Sequence, residues 1–162
     1  MENVKIRFEI DGYGTVDAEL YPDVAPETVK NFVSLIEKGF FKGKIFHRII
    51  SGFMIQGGGY DADFNHYDVP SIRGEFAANG FSGNDLKYTR GVLSMARTSD
   101  PNSASSQFFI MHENAPHLDG QYAAFGKVTE GIETVDKIAE VRTDFRDCPL
   151  YPIVITNAYV IK

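Results

Sequence analysis

Apolar residues alternate with polar ones on both sides of the turn sequence "DGYG" at positions 11 to 14. The alternating apolar residues are Val4, Ile6, Phe8, Ile10, Val16, Ala18 and Leu20. A period of two residues is typical of strands with one buried face, and a glycine-containing turn between two such runs is typical of a β-hairpin. Residues 4–20 therefore predict a hairpin.

The hydrophobic period changes to that of a helix between residues 25 and 39. Val29, Phe32, Val33 and Ile36 follow the i, i+3, i+4, i+7 spacing of an amphipathic helix. Proline and glutamate at 26 and 27 suit its first turn, and a glycine at 39 suits its end. A shorter helix is predicted near 131–140 on the same grounds.

Short apolar runs recur along the rest of the chain without a helical period. They lie near 45–49, 53–57, 91–96, 107–111, 123–128 and 153–161. Many short strands and two helices, without β-α-β alternation, predict a mainly β fold with a closed or nearly closed antiparallel sheet and helices at its ends. The long segments between them, above all 57–90, are typical of a functional surface.

Composition narrows the class of protein. The chain has 162 residues and a net charge of −6, which favours one domain over 1–162 and argues against general affinity for nucleic acid or anionic membranes. No apolar run approaches the ~20 residues that span a bilayer, and "MENVKIRFEI" lacks the features of a secretory signal. Because Cys148 is the single cysteine, no internal disulfide can form, and we expect a cytoplasmic protein. We also expect a monomer, because no sequence feature indicates a dedicated interface.

The stretch "FHRIISGFMIQGGG" at 46–59 places Arg48 and Gln56 inside apolar runs. Burying a charge is costly, so Arg48 is either a snorkelling side chain at a strand edge or a donor at the wall of an apolar pocket. Side chains two apart in a strand share a face, so Phe46 is expected beside Arg48. If the two runs pair, Arg48, Met54 and Gln56 meet on one face.

Four sequence segments carry a resemblance to a known family. "FHRIISGFMIQGG", "GVLSMA", "SQFFI" and "LDGQYAAFGKV" occur in the order and approximate spacing of the cyclophilin family of peptidyl-prolyl cis-trans isomerases. The resemblance extends from about Val4 to Ile161. It implies a closed eight-stranded antiparallel β-barrel capped by two α-helices, and an external groove that binds proline-containing peptides and unfolded or folding proteins. It implies neither a metal nor a cofactor.

The resemblance also implies roles for individual residues. Arg48 matches the catalytic arginine of the family, and Gln56 is placed to orient its guanidinium. The substrate-binding residues that it implies are Phe53, Met54, Ala96, Arg97, Gln107, Phe109, His117, Leu118 and Tyr122. Ala96 and Arg97 match the segment whose backbone pairs with the residue preceding proline.

The sequence departs from the family pattern at several of these positions. His117 stands where the best-known eukaryotic members have a tryptophan that donates a hydrogen bond to cyclosporin, so weak binding of that inhibitor at most is expected. Tyr122 replaces a histidine, and Arg97 with Thr98 replaces an Asn–Ala pair. The loop "YDADFNHYDVPSIRG" lacks a Gly–Thr–Gly–Gly run, which leaves the neighbouring pocket undefined.

Other interpretations compete with these roles. Phe53, Met54 and Phe109 would be ordinary core residues without the motif. "QGGG" resembles a phosphate loop, but no Lys-Ser/Thr follows it, and the histidines lack metal-ligand spacing. Two functional classes stay open: an active prolyl isomerase, and a catalytically silent proline-peptide binding module, chaperone or scaffold. The presence of Arg48 favours the enzyme, because a binder needs only the pocket.

Overall fold

The computed structural model describes residues 2–162, which form eight strands, two α-helices and two short 3-10 helices. The strands are β1 (Val4–Ile10), β2 (Gly14–Leu20), β3 (Arg48–Ile50), β4 (Met54–Gly57), β5 (Val92–Met95), β6 (Phe108–Met111), β7 (Ala124–Glu130) and β8 (Ile155–Val160). The α-helices are α1 (Pro26–Glu37) and α2 (Ile132–Ala139), and the 3-10 turns are Ala77–Asn79 and Pro116–Leu118. Over these residues, neither helix is long and apolar enough to cross a bilayer.

All eight strands belong to one antiparallel sheet in the order β3-β4-β6-β5-β7-β2-β1-β8. The prediction of eight antiparallel strands and two helices is confirmed, and the ladders form a curled half-barrel rather than a continuous closed ring. The contacts between the two edges of the sheet include an isolated bridge from Ile45 to Val154 and a hydrogen bond from Phe46 N to Ile153 O of 3.0 Å.

The interior of the half-barrel is filled by phenylalanine side chains. Phe108 of β6 stacks on Phe8 at 5.3 Å between ring centroids, and it meets Phe32 of α1 edge-on at 5.2 Å. Phe41 and Phe46 complete the ring around Phe108. Aromatic side chains bury large apolar areas, so this "inner core" supplies much of the driving force for folding.

The expectation that Phe46 lies beside Arg48 is wrong. β3 begins only at Arg48, because the preceding backbone bonds elsewhere: Ile45 N donates to Tyr60 O at 2.9 Å and Phe46 N donates to Ile153 O. The two-residue alternation of side chains therefore does not extend back across His47. Phe46 is fully buried in the inner core, whereas Arg48 is exposed on the outer side of the sheet.

Buried polar groups hold the long 57–90 segment in place. The Glu75 carboxylate accepts hydrogen bonds from Thr28 N and Thr28 Oγ1, each at 2.7 Å, and so caps the N-terminus of α1 where backbone N–H groups lack partners. The Asn84 side chain donates to Glu75 O and to Ala124 O, both at 2.8 Å. These bonds give a loop without long regular elements a defined path over the sheet.

Candidate active site

The outer face of β3, β4 and β6 brings the predicted site residues together. In the β3–β4 ladder Arg48 pairs with Gln56 and Ile50 pairs with Met54, and in the β4–β6 ladder Gln56 pairs with Phe109. The prediction that Arg48, Met54 and Gln56 share one face is therefore confirmed. Because β3 and β4 are joined by a turn of only three residues, the pairing follows directly from the local sequence.

A cavity of about 240 Å³ opens on this face and is called the outer cavity below. It is lined by Arg48, Phe53, Met54, Gln56, Ala96, Arg97, Phe109, Leu118 and Tyr122. These are nine of the eleven residues singled out from the sequence. Gln107 instead lines a neighbouring cavity, and the His117 ring stacks on Phe53 at 5.9 Å without lining the outer cavity.

The floor of the outer cavity is a second apolar cluster, separate from the inner core and called the outer cluster. It consists of Met54, Tyr88, Val92, Phe109, Met111, Ala115, Leu118 and Ala124. Tyr88 stacks behind Phe109 at 6.2 Å, its hydroxyl lies 2.8 Å from Ser94 Oγ, and burial raises the pKa of its phenol. The Tyr122 ring meets Phe109 edge-on at 5.8 Å. The result is a rigid apolar surface that suits a compact ring.

A chain of amide hydrogen bonds forms the polar wall. Arg48 Nη1 donates to Gln56 Oε1 at 3.2 Å, and Gln56 Nε2 donates to Gln107 Oε1 at 3.1 Å. The chain orients the Gln56 amide so that its oxygen faces the guanidinium. Within residues 2–162 no carboxylate lies in salt-bridge range of Arg48. Its charge and remaining N–H donors are therefore available to a ligand.

Arg97, the second arginine of the outer cavity, is held far more firmly. Its guanidinium lies 4.6 Å from the ring centroid of Tyr122 and 5.0 Å from that of Phe76. It also donates to Gln121 O at 2.9 Å from Nη2 and to Thr98 O at 2.9 Å from Nη1. Cation–π contacts and carbonyl acceptors thus stabilise Arg97 in one orientation, whereas Arg48 keeps its donors free.

The three glycines of "QGGG" permit close backbone packing beside the site. A Cβ atom at Gly57 would lie 2.5 Å from Ile45 O, and one at Gly58, where φ is +95°, would lie 2.8 Å from Ser106 O. A Cβ at Gly59 would lie 2.6 Å from the Gln107 side chain. Residue types other than glycine would displace the backbone beside β4 or the Gln107 side chain, which accounts for the motif without a phosphate ligand.

The neighbouring cavity, called the side cavity, has a volume of about 300 Å³ and a polar lining. It shares Gln56, Ala96 and Arg97 with the outer cavity. His66, Asp68 and Ser103 lie on its other sides, and His66 Nδ1 is 3.0 Å from Asp68 Oδ1. The sequence did not predict these residues, because they lie in loops where no periodicity marks the orientation of a side chain.

His47 lies directly before Arg48 and is kept neutral by its surroundings. Burial, followed by the charges of Arg48 and His66, lowers the pKa of its imidazole to about 4. Its Nδ1 is buried without a hydrogen-bond partner, and its ring packs on Tyr60 at 4.8 Å between centroids. A neutral His47 leaves Arg48 as the cation at this end of the cavity.

Comparison with known proteins agrees with the fold. Residues 5–160 match the family model described as cyclophilin type peptidyl-prolyl cis-trans isomerase/CLD. Peptidyl-prolyl cis-trans isomerase A of Dickeya dadantii is 43% identical over 92% of this chain and 80% of its own length. Peptidyl-prolyl cis-trans isomerase B of Escherichia coli is 38% identical over 91% of this chain and 94% of its own length.

Solved structures give the same result. A cyclophilin-type peptidyl-prolyl cis-trans isomerase of Cryptosporidium parvum superposes with a TM-score of 0.84 at 31% identity and covers 99% of each chain. A second structure of that protein, with a TM-score of 0.82, was solved in the presence of the dipeptide Ala-Pro. The chain belongs to the cyclophilin-type peptidyl-prolyl cis-trans isomerase family. The predicted isomerase function is thereby confirmed, and a catalytically silent binding module is not favoured.

Proposed function

We propose that the outer cavity binds the ring of a substrate proline and that Arg48 stabilises the twisted X–Pro amide during rotation. One observation carries this assignment. The guanidinium of Arg48 is held by Gln56 at the rim of a ring-sized apolar cavity and has no carboxylate partner in the part of the chain described. Phe53, Met54, Phe109 and Leu118 then contact the ring.

The chemistry of the amide explains why a guanidinium suits this position. Rotation is resisted by ~18–20 kcal/mol because the nitrogen lone pair is shared with the carbonyl, and X–Pro bonds interconvert over tens to hundreds of seconds. In the twisted state conjugation is lost, and the prolyl nitrogen accepts hydrogen bonds. The planar fork of arginine stays protonated and presents several donors, so Arg48 can donate to the carbonyl or toward the nitrogen.

The surroundings of Arg48 increase its effect. Preorganised donors aimed at the charge that develops in a reaction contribute about 2.7–4 kcal/mol to transition-state stabilisation. Gln56 and Gln107 orient the guanidinium in advance, so little reorganisation is needed when the amide twists. An acceleration of ~10⁴ requires roughly 5.5 kcal/mol. Arg48 accounts for about half of this barrier lowering. Anchoring of the proline ring and selection of a twisted substrate backbone account for the rest.

The first test is cis–trans exchange of an Ala–Pro peptide, measured by NMR with catalytic amounts of enzyme. Arg48→Ala is expected to lower kcat/KM by about 10² or more, because a transition-state donor is lost. Arg48→Lys keeps the charge without the fork and is expected to recover only a small part. Arg146→Ala removes an exposed arginine outside the outer cavity and serves as the matched control.

A rate near that of the wild type for Arg48→Ala would remove Arg48 from the mechanism. Peptide binding by the wild type without accelerated exchange would instead indicate a proline-recognition module. In both cases thermal melting of each variant shows whether the fold is retained.

Further properties concern substrates, inhibitor binding and the edges of the sheet. We propose proline-containing peptides and unfolded or folding proteins as substrates, because the outer cavity is shallow and accepts a ring flanked by extended chain. Weak cyclosporin binding at most is proposed, since His117 replaces the tryptophan of the resemblance and stacks on Phe53. We also propose that the edges of the sheet close through residues 43–46 and 153–155, supported by Gly43 N donating to Ile155 O at 2.8 Å. A monomeric state, a single domain over 1–162 and a cytoplasmic location stay predictions.

A further inference from the structure

The turn between β3 and β4 is held from behind by one histidine that the mechanism does not use. Gly52 N donates to His112 Nδ1 at 2.8 Å, and His112 N donates to Phe53 O at 2.9 Å. The imidazole and the backbone of the same residue therefore bind two consecutive residues of the turn. Phe53 is a wall of the outer cavity, so the position of that wall depends on these two bonds.

The other ring nitrogen of His112 is bound to α2. Nε2 lies 3.2 Å from Asp136 Oδ1, and the His112 side chain is only 13% exposed. Arg90 binds the same carboxylate in a bidentate manner, at 2.6 and 2.7 Å, and also donates to His112 O at 3.0 Å. Three elements thus meet at this histidine: α2, the segment before β5, and the turn that carries Phe53.

The hydrogen bonds fix the tautomer of the ring. A backbone N–H can only donate, so His112 Nδ1 acts as the acceptor and carries no proton. The ring proton then lies on Nε2, whose distance of 3.2 Å from Asp136 Oδ1 lets the carboxylate attract and orient the imidazole. Arg90 keeps the pKa of the Asp136 carboxyl below its usual range. The carboxylate therefore stays charged and continues to select this tautomer.

We propose that His112 is a positioning residue for the outer cavity, and that Asp136 of α2 acts through it to hold the Ser51–Phe53 turn. This inference rests on the proposed function of the outer cavity. His112 does not contact that cavity, so its effect is on the Phe53 wall rather than on the guanidinium of Arg48. We expect its loss to raise KM for proline peptides more than it lowers kcat.

Two substitutions of His112 separate the roles of its two ring nitrogens. In His112→Asn the side-chain oxygen can occupy the place of Nδ1 and accept from Gly52 N, whereas the contact with Asp136 is lost. In His112→Gln the amide reaches toward Asp136, but no acceptor remains near Gly52. We expect KM to rise about five- to tenfold in His112→Gln, the effect of one lost hydrogen bond, and to stay within about threefold of wild type in His112→Asn.

The role of α2 is tested with a matched pair of carboxylate variants. Asp136→Asn weakens the bidentate pair with Arg90 and the selection of the tautomer, and KM is expected to rise about threefold. Asp17→Asn weakens the comparable bidentate pair with Arg7, at 2.6 and 2.9 Å, which lies outside the outer cavity. Its KM is expected to match that of the wild type at similar loss of stability.

The Gly52 amide provides a third readout. Its N–H donates to His112 Nδ1 in the wild type. We therefore expect the NMR resonance of this amide to move in His112→Gln, where the acceptor is lost, and to stay close to its wild-type position in His112→Asn.

The outcomes distinguish this inference from the proposed function. Equal KM values for the wild type, His112→Gln and His112→Asn would overturn the inference and leave the isomerase assignment intact. Equal rises in KM together with equal losses of melting temperature in both His112 variants would also overturn it, because they indicate a general structural role. If neither the wild type nor any variant catalyses exchange, the proposed function fails. The NMR resonance of the Gly52 amide and the Kd of an Ala–Pro peptide then still test the positioning of the turn.

Discussion

Phe108 and Phe109 are neighbours on β6, and both are buried, yet they belong to different regions of the molecule. Phe108 points into the inner core, where phenylalanine rings from α1, β1 and the 41–46 segment surround it. Phe109 points outward, where Tyr88 supports one side and the outer cavity opens on the other. The same residue type with the same burial therefore serves the stability of the fold on one face and the binding of a ligand on the other.

The two regions also differ in how their polar groups are treated. The inner core is built from packed apolar side chains. At the outer cavity, Arg48 has no carboxylate partner within residues 2–162. The residue before it, His47, has a buried nitrogen without a hydrogen bond, and a buried polar atom without a partner reduces stability. The comparison indicates that the outer region is shaped for binding at some expense of stability.

The largest effects are expected from truncating each ring. Phe108→Ala leaves a void among packed rings and is expected to lower the free energy of unfolding by about 3–5 kcal/mol. Phe109→Ala opens onto the outer cavity, which solvent can fill, so its loss of stability should be smaller, but kcat/KM should fall at least about tenfold. Chemical denaturation and peptide exchange measure the two quantities. If both variants show the same ratio of lost stability to lost activity, the distinction between the inner core and the outer cavity is contradicted.

The next effect concerns the pH dependence of stability near the site. As pH falls through the unfolded value of about 6.5, the unfolded chain protonates His47, whereas the folded protein does so only near the lowered pKa of about 4. The free energy of unfolding should therefore decrease between these pH values, by on the order of 3 kcal/mol in total. His47→Gln removes this contribution, so the difference between wild type and variant in denaturation curves at pH 4 and 7 isolates it. A constant difference would show that His47 is not buried in its neutral form.

The smallest effect concerns the rim. His117→Trp is expected to tighten cyclosporin binding by about tenfold, because an indole N–H is added and the aromatic surface beside Phe53 is enlarged. The melting temperature and the rate of Ala–Pro exchange should remain close to wild type, since His117 does not line the outer cavity. Calorimetric titration of both proteins with cyclosporin gives the comparison. Unchanged affinity would show that residues of the rim other than His117 limit cyclosporin binding.

Much of the fold could be predicted from periodicity. The hairpin β1–β2 and helices α1 and α2 lie where alternation and helical spacing placed them, because each has one buried face. Residues 45–47 were assigned to the same strand as Arg48. Instead, the backbone N–H groups of Ile45 and Phe46 donate to the carbonyl oxygens of Tyr60 and Ile153. Apolar content alone does not show which backbone partner a short segment finds, and this explains the error at Phe46.

The grouping of the candidate site residues could be predicted where a motif was available. Nine residues known from the resemblance surround one cavity. His112, Asp136 and Glu75 were not singled out from the sequence. Each acts through a partner that is distant along the chain, and one amino-acid sequence does not show which distant residues lie in contact. The lining of the side cavity was left undefined for a related reason: its loop residues are positioned by hydrogen bonds such as those of Ser103 with Thr98 and Asp100, not by a repeating pattern.

The glycines at 57–59 have a consequence for how mutational data on this protein should be read. They carry no functional group, yet a side chain at any of them meets backbone or the Gln107 amide within 2.8 Å. In a saturation library selected for turnover, these positions should therefore tolerate as little variation as Arg48. Sensitivity to substitution alone would mark them as chemical participants, and only a parallel selection for folded protein would separate space-limiting positions from reactive ones.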